Sequence, residues 1–319
     1  KVFFIGFSAF LFGTGAVNLS PKSFASQGFF EFQWDPDPDY KRLRYYQSDK
    51  DTLKSTTHYL FLRGISIAVI LILYLFIKEG LSFYKNFFKI GISGILGGIF
   101  LSTAFIGFIF SITMTTAAVT LFMLAAMPFI AAIAGYFFLN EIVKRSTFLS
   151  MILAFIGICI MIYNESIGGS VAGALIGFLS ATGFAFYTVT IRWKPQTPKF
   201  TTVVLAGIIC SIFSIIVLKG SFESFATMPS INNYLSLLHG SVVATGLILY
   251  SLGAKYLPSA ELALLSLMEV VGGIFWVWLP IAGINEVPNL TTIMGGVIIT
   301  IAVLMHGFIA QKKREPILP

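Results

Sequence analysis

Residues 260–278 read AELALLSLMEVVGGIFWVW, an apolar stretch long enough to cross a bilayer, with the carboxylate of Glu269 near its middle. A charged side chain at the centre of a membrane helix costs about 2.5 to 3.5 kcal/mol on insertion scales, so such residues face a protein interior or a polar cavity. The stretch therefore predicts a membrane helix that borders a pathway for ions or substrate, and Glu269 is the first candidate for a functional residue.

The composition of the whole chain is that of an integral membrane protein. Of its 319 residues, 56% are hydrophobic and 11% are charged, and the mean hydropathy is +0.87, whereas soluble domains carry about 25% charged residues. The net charge of +7 does not indicate nucleic-acid binding, because the Lys and Arg residues lie in short clusters between apolar runs. Cys159 and Cys210 lie inside such runs, so no disulfide, metal or cofactor is expected.

Windows of about 20 apolar residues predict ten membrane helices. Their bounds are 2–17, 59–77, 88–108, 115–139, 147–163, 171–191, 201–218, 235–254, 260–281 and 290–309. Lys and Arg collect in the loops on one side, while the other side, apart from the long segment 18–58, holds only Lys219. Positively charged loops remain in the cytoplasm, so we predict a multi-pass protein of the cell membrane with both termini cytoplasmic.

Short sequence matches divide the chain into two similar halves. In the same order along each half, Ile5–Phe7 recurs as Ile176–Phe178, Thr56–Thr57 as Thr201–Thr202, and Asn140–Ile142 as Asn285–Val287. Each half has five spans, so the second copy enters the membrane from the opposite side. The sequence thus predicts an all-α integral membrane protein with ten transmembrane helices arranged as two inverted five-helix repeats, residues 1–163 (with an inserted external loop at 18–58) and 164–319.

The first stretch, 2–17, has the length of the apolar part of a secretory signal. Because it recurs inside the chain, we interpret it as a membrane helix, and we expect the true start of the protein to lie upstream of Lys1.

Several short motifs resemble those of a known group. They are Thr115–Ala118, Pro128, Leu139–Glu141, Phe61–Arg63, Gly177–Arg192 and Leu267–Val270. With them the chain resembles the drug/metabolite transporter superfamily, specifically its EamA-type permeases. The resemblance implies a secondary transporter, not an enzyme, that moves a small organic metabolite by alternating access, with protons as a candidate coupling ion. An amino acid, a nucleotide-like solute and a drug-like solute are all compatible with it.

Glu269 shares one helical face with Gly272, Gly273 and Trp276. This face predicts a cavity wall, in which the glycines leave room for a ligand and the carboxylate binds a cation or a proton. The alternative is a neutral, buried carboxyl that is hydrogen-bonded to a neighbouring helix. The repeat alignment sets Met127 opposite Glu269, so Pro128 interrupts the fourth span at the same depth, either to form part of the site or only to bend the helix.

Four further residues are candidates for a substrate or coupling site. Arg63 is suited to bind a carboxylate or phosphate of a substrate or to pair with a Glu, but snorkelling of its long stem to the outer headgroups is the favoured interpretation. Ser180 and Tyr187 lie on a polar stripe of the sixth span, where hydroxyls more often bond to backbone or to other helices. His239 is a possible relay member near a span end, where an interfacial position is favoured.

Other polar residues are expected to be structural or interfacial. His306 also lies near a span end, so an interfacial position is favoured for it too. Glu141 and Glu286 are each expected to cap the helix that follows them.

The segment 18–58 departs from the family pattern, with Asp35, Asp37 and Asp39 separated by prolines. It lacks the glycine turn and distant Glu of a calcium loop, and the prolines favour extended backbone, so we predict a solvated external loop. The same carboxylates allow a prenyl or phosphoryl transferase as an alternative function, and a channel or scaffold is another. The chain has no P-loop, so ATP is not expected to drive it directly.

Overall fold

The computed structural model describes residues 38–115, 117–163, 170–194, 196–218, 230–254, 256–268 and 290–311. Within these ranges the regular structure is helical and no strand is formed. The helices are α1 (Pro38–Glu79), α2 (Lys85–Phe88), α3 (Gly91–Met114), α4 (Ala117–Leu124), α5 (Met127–Leu139), α6 (Arg145–Ile162), α7 (Val171–Trp193), α8 (Lys199–Val217), α9 (Ser230–Gly253), α10 (Ser259–Ser266) and α11 (Leu290–Gln311), with a 3-10 turn at Gly80–Tyr84.

Six helical stretches in this part of the chain are long and apolar enough to cross a membrane. They are Leu53–Phe88, Gly91–Met114, Val119–Leu139, Val171–Trp193, Lys199–Val217 and Ser236–Gly253. Two shorter apolar helices, Arg145–Ile160 and Ile293–His306, overlap the fifth and tenth predicted spans. The protein is therefore a multi-pass membrane protein. The predicted first span and most of the ninth lie outside the described residues, so the count of ten stays a prediction.

The loop prediction for 18–58 is wrong from Pro38 onward, because residues 38–58 are part of α1. A proline is well tolerated in the first turn of a helix, where its missing N–H has no partner in any case, and good helix formers follow it. With 42 residues, α1 is about 63 Å long at the usual rise, about twice the bilayer core. Its N-terminal part consequently extends beyond the apolar layer.

The fourth predicted span is interrupted rather than continuous. α4 ends at Leu124 and α5 begins at Met127, with Pro128 in the first turn of α5. The turn between them is closed by backbone bonds such as Ala126 N–H to the Met123 carbonyl at 3.2 Å. The interruption thus lies where the proline was expected to produce one.

Helices from both halves of the sequence pack side by side. α1 packs against α8 and α9, α3 packs against α7 and α8, and α6 packs against α11, while α5 lies between α7 and α10. Large apolar side chains remain on the outside, for example Ile77, Phe88 and Phe137, which are 84%, 86% and 72% exposed. Such a surface suits lipid, where the drive to bury apolar groups is absent and helices associate through close packing.

Candidate functional site

Of the nine predicted site residues, Arg63, Pro128, Ser180, Tyr187 and His239 are described. Glu269, Gly272, Gly273 and Trp276 lie outside the described residues, and their proposed roles stay predictions. Pro128 lies in the first turn of α5, and the other four described residues separate into two groups of contacts. Arg63 and His239 belong to a cluster on α1, α3 and α9, whereas Ser180 and Tyr187 connect α7 to its neighbours.

Arg63 is a buried cation. The residue is 5% exposed, and its guanidinium carbon lies over the ring of Phe105 on α3, 4.7 Å from the ring centroid. Its Nε and Nη1 are buried without a hydrogen-bond partner. The snorkelling interpretation is therefore wrong, because the head group points into the protein and not to the headgroup layer. A cation over an aromatic face gains about 2 kcal/mol when desolvated, which offsets only part of the cost of burying a charge.

His239 of α9 lies beside Tyr59 of α1, and Tyr59 is one helical turn before Arg63 on the same helix. The two rings are stacked with centroids 5.7 Å apart and planes inclined by 21°, and the Tyr59 hydroxyl is hydrogen-bonded to His239 Nδ1. His239 is 2% exposed, so the interfacial position favoured for it is wrong. Its Nε2 is buried without a hydrogen-bond partner. Next to the cation, the cluster thus holds a second polar group with spare hydrogen-bonding capacity.

Glycines allow α8 and α9 to approach α1 closely enough to enclose this cluster. A Cβ added at Gly207 on α8 would lie 2.7 Å from the Gly64 carbonyl oxygen, and one at Gly240 on α9 would lie 2.8 Å from the Arg63 carbonyl oxygen. Both distances are shorter than real Cβ contacts. Small residues at such crossings are the usual device for close helix packing in membranes, and here they fix the backbone on both sides of Arg63.

The charge of Arg63 has no counter-ion in the described part of the chain, where the ion pairs are Arg192 with Glu141 and His306 with Glu261. A buried charge is normally paired or hydrogen-bonded, because the unpaired state is costly. The guanidinium presents its donors in a planar fork that matches a carboxylate or a phosphate. The arrangement is suited to bind an anionic group that reaches the cluster.

Ser180 and Tyr187 have their hydrogen-bonding capacity used by other helices. The Ser180 hydroxyl donates to the Ala104 carbonyl at 2.7 Å, as expected for hydroxyls that hold membrane helices together. Tyr187 is fully buried, stacks on Tyr250 with centroids 6.1 Å apart and contacts the Ser251 hydroxyl at 3.4 Å. These contacts favour a packing role for both residues.

Glu141 links three helices at one end of the molecule. One carboxylate oxygen accepts from Arg192 of α7 at 2.6 Å and 2.8 Å, and the other accepts from the Ser259 N–H at 2.8 Å and from its hydroxyl. Arg192 also donates to the Ala254 and Leu257 carbonyls. Glu141 accepts hydrogen bonds at the N-terminus of α10. It does not cap α6, the helix that follows it, because the N-cap of α6 is Lys144, which makes no side-chain bond. The prediction that it caps the following helix is wrong.

A second buried acid lies near this end. Glu261 of α10 is 4% exposed and His306 of α11 is 2% exposed, and Glu261 Oε2 lies 3.3 Å from His306 Nε2. The Thr147 hydroxyl of α6 is 3.5 Å from the other oxygen of Glu261. The interfacial position favoured for His306 is consequently wrong.

Comparisons with known proteins find a family match for part of the chain. Residues 52–163 match the EamA-like transporter family, which is part of the drug/metabolite transporter superfamily. Over this segment the chain is similar to the EamA-like transporter family. The match agrees with the resemblance noted in the sequence, and together with the apolar helices it supports a membrane transporter of the drug/metabolite type, with a small-molecule substrate and lipid around it.

A solved structure shares the fold of this EamA-like chain. It is described as a crystal structure of a protein, and it is 15% identical with a TM-score of 0.64, over 97% of this chain and 96% of that one. None of the curated proteins compared matches the chain.

Sequence reasoning on this EamA-like chain missed two features. Glu261 lies in the same apolar stretch as Glu269, but it is the second residue of the predicted span 260–281, and a position at a span end gave no sign of its burial. His306 was discounted for the same reason. A search for every acid inside a predicted span, together with every His of the neighbouring spans, would have found the pair.

Proposed function

We propose that the protein is a secondary carrier that moves a small organic anion or zwitterion across the cell membrane by alternating access. The observation that carries this proposal is the buried, unpaired guanidinium of Arg63 beside Tyr59 and His239. Charged residues inside membrane helices are rare and mark substrate or ion pathways. A carboxylate or phosphate of the substrate would supply the missing counter-ion.

The arrangement of the helices supports an inverted repeat around this site. The second and seventh predicted spans, α1 and α8, pack on each other, as do the fifth and tenth, α6 and α11. α1 and α3 are the second and third spans of the first repeat, and α8 and α9 are their counterparts in the second repeat. α1 packs on α9, and α8 packs on α3. A pseudo-two-fold axis in the membrane plane requires this exchange of partners. Transporters of this build bind substrate at the interface of the repeats, and Arg63 lies between helices of both halves.

Two helix ends at equivalent positions support the same proposal. α4 ends at Leu124 and α10 ends at Ser266, and the alignment that sets Met127 opposite Glu269 also sets Leu124 opposite Ser266. Transporter sites near the midplane are typically built where helices of the two repeats are discontinuous. Glu269, Gly272, Gly273 and Trp276 follow the second of these positions, and we propose that they form the opposite wall of the cavity, with Glu269 as a coupling or cation-binding group.

The substrate class is narrowed by Arg63. Among the solutes compatible with the family resemblance, amino acids carry a carboxylate and nucleotide-like metabolites carry phosphate or carboxylate groups, which a guanidinium binds through two parallel bonds. A purely cationic drug-like solute is disfavoured beside a buried cation. A gradient supplies the energy, because the sequence has no P-loop for ATP.

The proposal is tested with purified protein in proteoliposomes and a panel of labelled carboxylates, phosphates and cations. We expect uptake of at least one anionic or zwitterionic solute, and Arg63→Gln to raise its KM about 10- to 100-fold, the equivalent of a lost charge-assisted hydrogen bond. Arg63→Lys keeps the charge but loses the planar fork, so an intermediate KM is expected.

Lys78→Gln is the matched control, because Lys78 is on the same helix and also lies over an aromatic ring, Phe200, but is exposed. Its KM is expected to equal that of the wild type. Uptake of cations alone, or an unchanged KM in Arg63→Gln, contradicts the proposed role of Arg63.

A further inference from the structure

The connection between α1 and α3 stays apolar beyond the end of the membrane helix. Residues 80–90 read GLSFYKNFFKI, and the apolar stretch Leu53–Phe88, which includes most of this connection, has 36 residues. About 20 residues are enough to cross a bilayer, and the helix ends before Gly80, whose φ is 60°. The connection therefore carries apolar side chains past the point where α1 has crossed the membrane.

One face of the connection is folded back on α1. Phe83 and Phe87 are partly buried against the core, with their ring centroids 6.4 Å apart. Phe83 also meets the ring of Phe76 edge-on, again with centroids 6.4 Å apart, and Phe76 belongs to the predicted second span, 59–77. These contacts hold the 3-10 turn and α2 beside the end of α1, so the connection lies at the edge of the apolar layer.

A second face is apolar and exposed. It consists of Leu81, Tyr84 and Phe88, which follow one another at spacings of three and four residues and are 75%, 52% and 86% exposed. Exposure of such groups to water is unfavourable, whereas aromatic side chains are enriched at the boundary between acyl chains and headgroups. This face is complementary to the outer part of the acyl layer.

A third face is basic. Lys85 and Lys89, four residues apart, are exposed, and neither is in an ion pair within the described part of the chain. Glu79, the nearest acid along the chain, accepts a hydrogen bond from Asn86 Nδ2 at 2.6 Å, and with Lys78 three lysines stand against this one carboxylate. Lysine stems lie along apolar surface while the ammonium group reaches the headgroups. A basic face beside an apolar one is complementary to anionic lipid.

We propose that this connection, residues 80–90, is a binding surface for anionic phospholipid in the leaflet on the predicted cytoplasmic side. Leu81, Tyr84 and Phe88 enter the boundary of the acyl chains, and Lys85 and Lys89 bind the phosphates. Because the connection packs on α1, bound lipid fixes the depth of the helix that carries the buried cation of the Arg63 cluster. Lipid binding here does not depend on the proposed carrier function.

Lipid binding is tested with the purified full chain in detergent, by thermal unfolding with added phosphatidylglycerol or phosphatidylcholine. A ligand of the folded state raises the unfolding midpoint, and we expect a larger rise with phosphatidylglycerol. Each lysine near an anionic surface contributes about a fivefold change in affinity, so Lys85→Gln with Lys89→Gln is expected to raise the half-saturating phosphatidylglycerol concentration about 25-fold.

The matched control is the double variant Lys144→Gln with Arg145→Gln. It removes two exposed cations next to the α5–α6 connection, on the same predicted side of the membrane, and is expected to keep the wild-type half-saturating concentration. Equal stabilisation of the wild type by both lipids, or equal losses in the two double variants, overturns the proposal.

Insertion of the apolar face is measured separately in liposomes of phosphatidylglycerol and phosphatidylcholine. A spin label is attached through Phe88→Cys in a background without Cys159 and Cys210, and its collisions with oxygen and with a polar nickel chelate are compared. Oxygen concentrates among acyl chains, so we expect oxygen to dominate at this position and the chelate to dominate for a label at the exposed Asn140. Dominance of the chelate at both positions overturns the proposal, because the face would then lie in water.

Discussion

Among single residues, Tyr59 determines which ring nitrogen of His239 is left without a hydrogen bond beside Arg63. Its hydroxyl occupies Nδ1 of the imidazole, which selects the nitrogen that stays unpaired, Nε2. If the hydroxyl donates, Nε2 carries the proton and is a second donor beside the guanidinium. Two donors at one buried point are complementary to an anion and repel a cation.

Removing this hydroxyl is expected to cost both stability and affinity. Tyr59→Phe keeps the ring stack but leaves His239 Nδ1 buried and unpaired, a loss of about 1 to 3 kcal/mol. We expect a lower thermal unfolding midpoint in detergent and a KM raised severalfold at unchanged maximal rate. Tyr187→Phe is the matched control, because the Tyr187 hydroxyl makes a longer contact of 3.4 Å outside the cluster. Equal effects of the two substitutions contradict a special role for Tyr59.

Among the helices, the crossing of α1 and α8 depends on the lack of a side chain at Gly207. A Cβ there would lie 2.7 Å from the Gly64 carbonyl oxygen, a backbone atom that cannot rotate away. Gly207→Ala is therefore expected to separate the helices and to lower the free energy of unfolding by about 1 to 3 kcal/mol, the usual range for overpacking.

Gly296 of α11 provides the comparison for that substitution. A Cβ added at Gly296 meets no atom within 4 Å, so Gly296→Ala is expected to be neutral or to stabilise the helix by up to about 1 kcal/mol through propensity alone. Thermal unfolding of both variants in the same detergent measures the difference. A Gly207→Ala variant as stable as Gly296→Ala would mean that the crossing is looser than its geometry indicates.

The sequence predicts the helix bounds well wherever a helix coincides with a single apolar run. α7 and α8 begin and end within two residues of the predicted spans, and α3 and α9 within six. The interruption near Pro128 was expected from the missing N–H of proline. The start of α1 at Pro38 was missed because Asp and Pro favour loops locally, whereas the following Lys, Arg and Leu residues sustain a helix.

Contacts between helices could not be predicted in the same way. Periodicity assigns Arg63 to a face of its helix but does not say which helix that face meets, and Tyr59 lies 180 positions from His239 in the sequence. Snorkelling and interfacial positions were favoured for Arg63, His239 and His306 because each lies near a span end. These three side chains are buried because α3, α9 and α10 pack over them. Such contacts between helices cannot be read from the position of a residue along its own span.

For the whole molecule, Glu141, Arg192 and Ser259 close the end that is predicted to be cytoplasmic. Arg192 is bonded to Glu141 of the α5–α6 connection and to the carbonyls of Ala254 and Leu257, which precede α10. In a carrier that alternates access, this end must separate when the site opens towards it. Glu141→Gln and Arg192→Gln each remove charge from a largely buried pair, so we expect both to shift the population towards the form open at this end.

The shift is measured by electron–electron distances between spin labels at the exposed residues Asn140 and Lys194, in a background without Cys159 and Cys210. Longer distances are expected for both variants than for wild type. The charge swap Glu141→Arg with Arg192→Glu should not restore the short distance, because a guanidinium would then face the Ser259 N–H and a carboxylate would face two carbonyl oxygens. Restoration by the swap would show that charge alone, without the backbone groups of α10, holds this end closed.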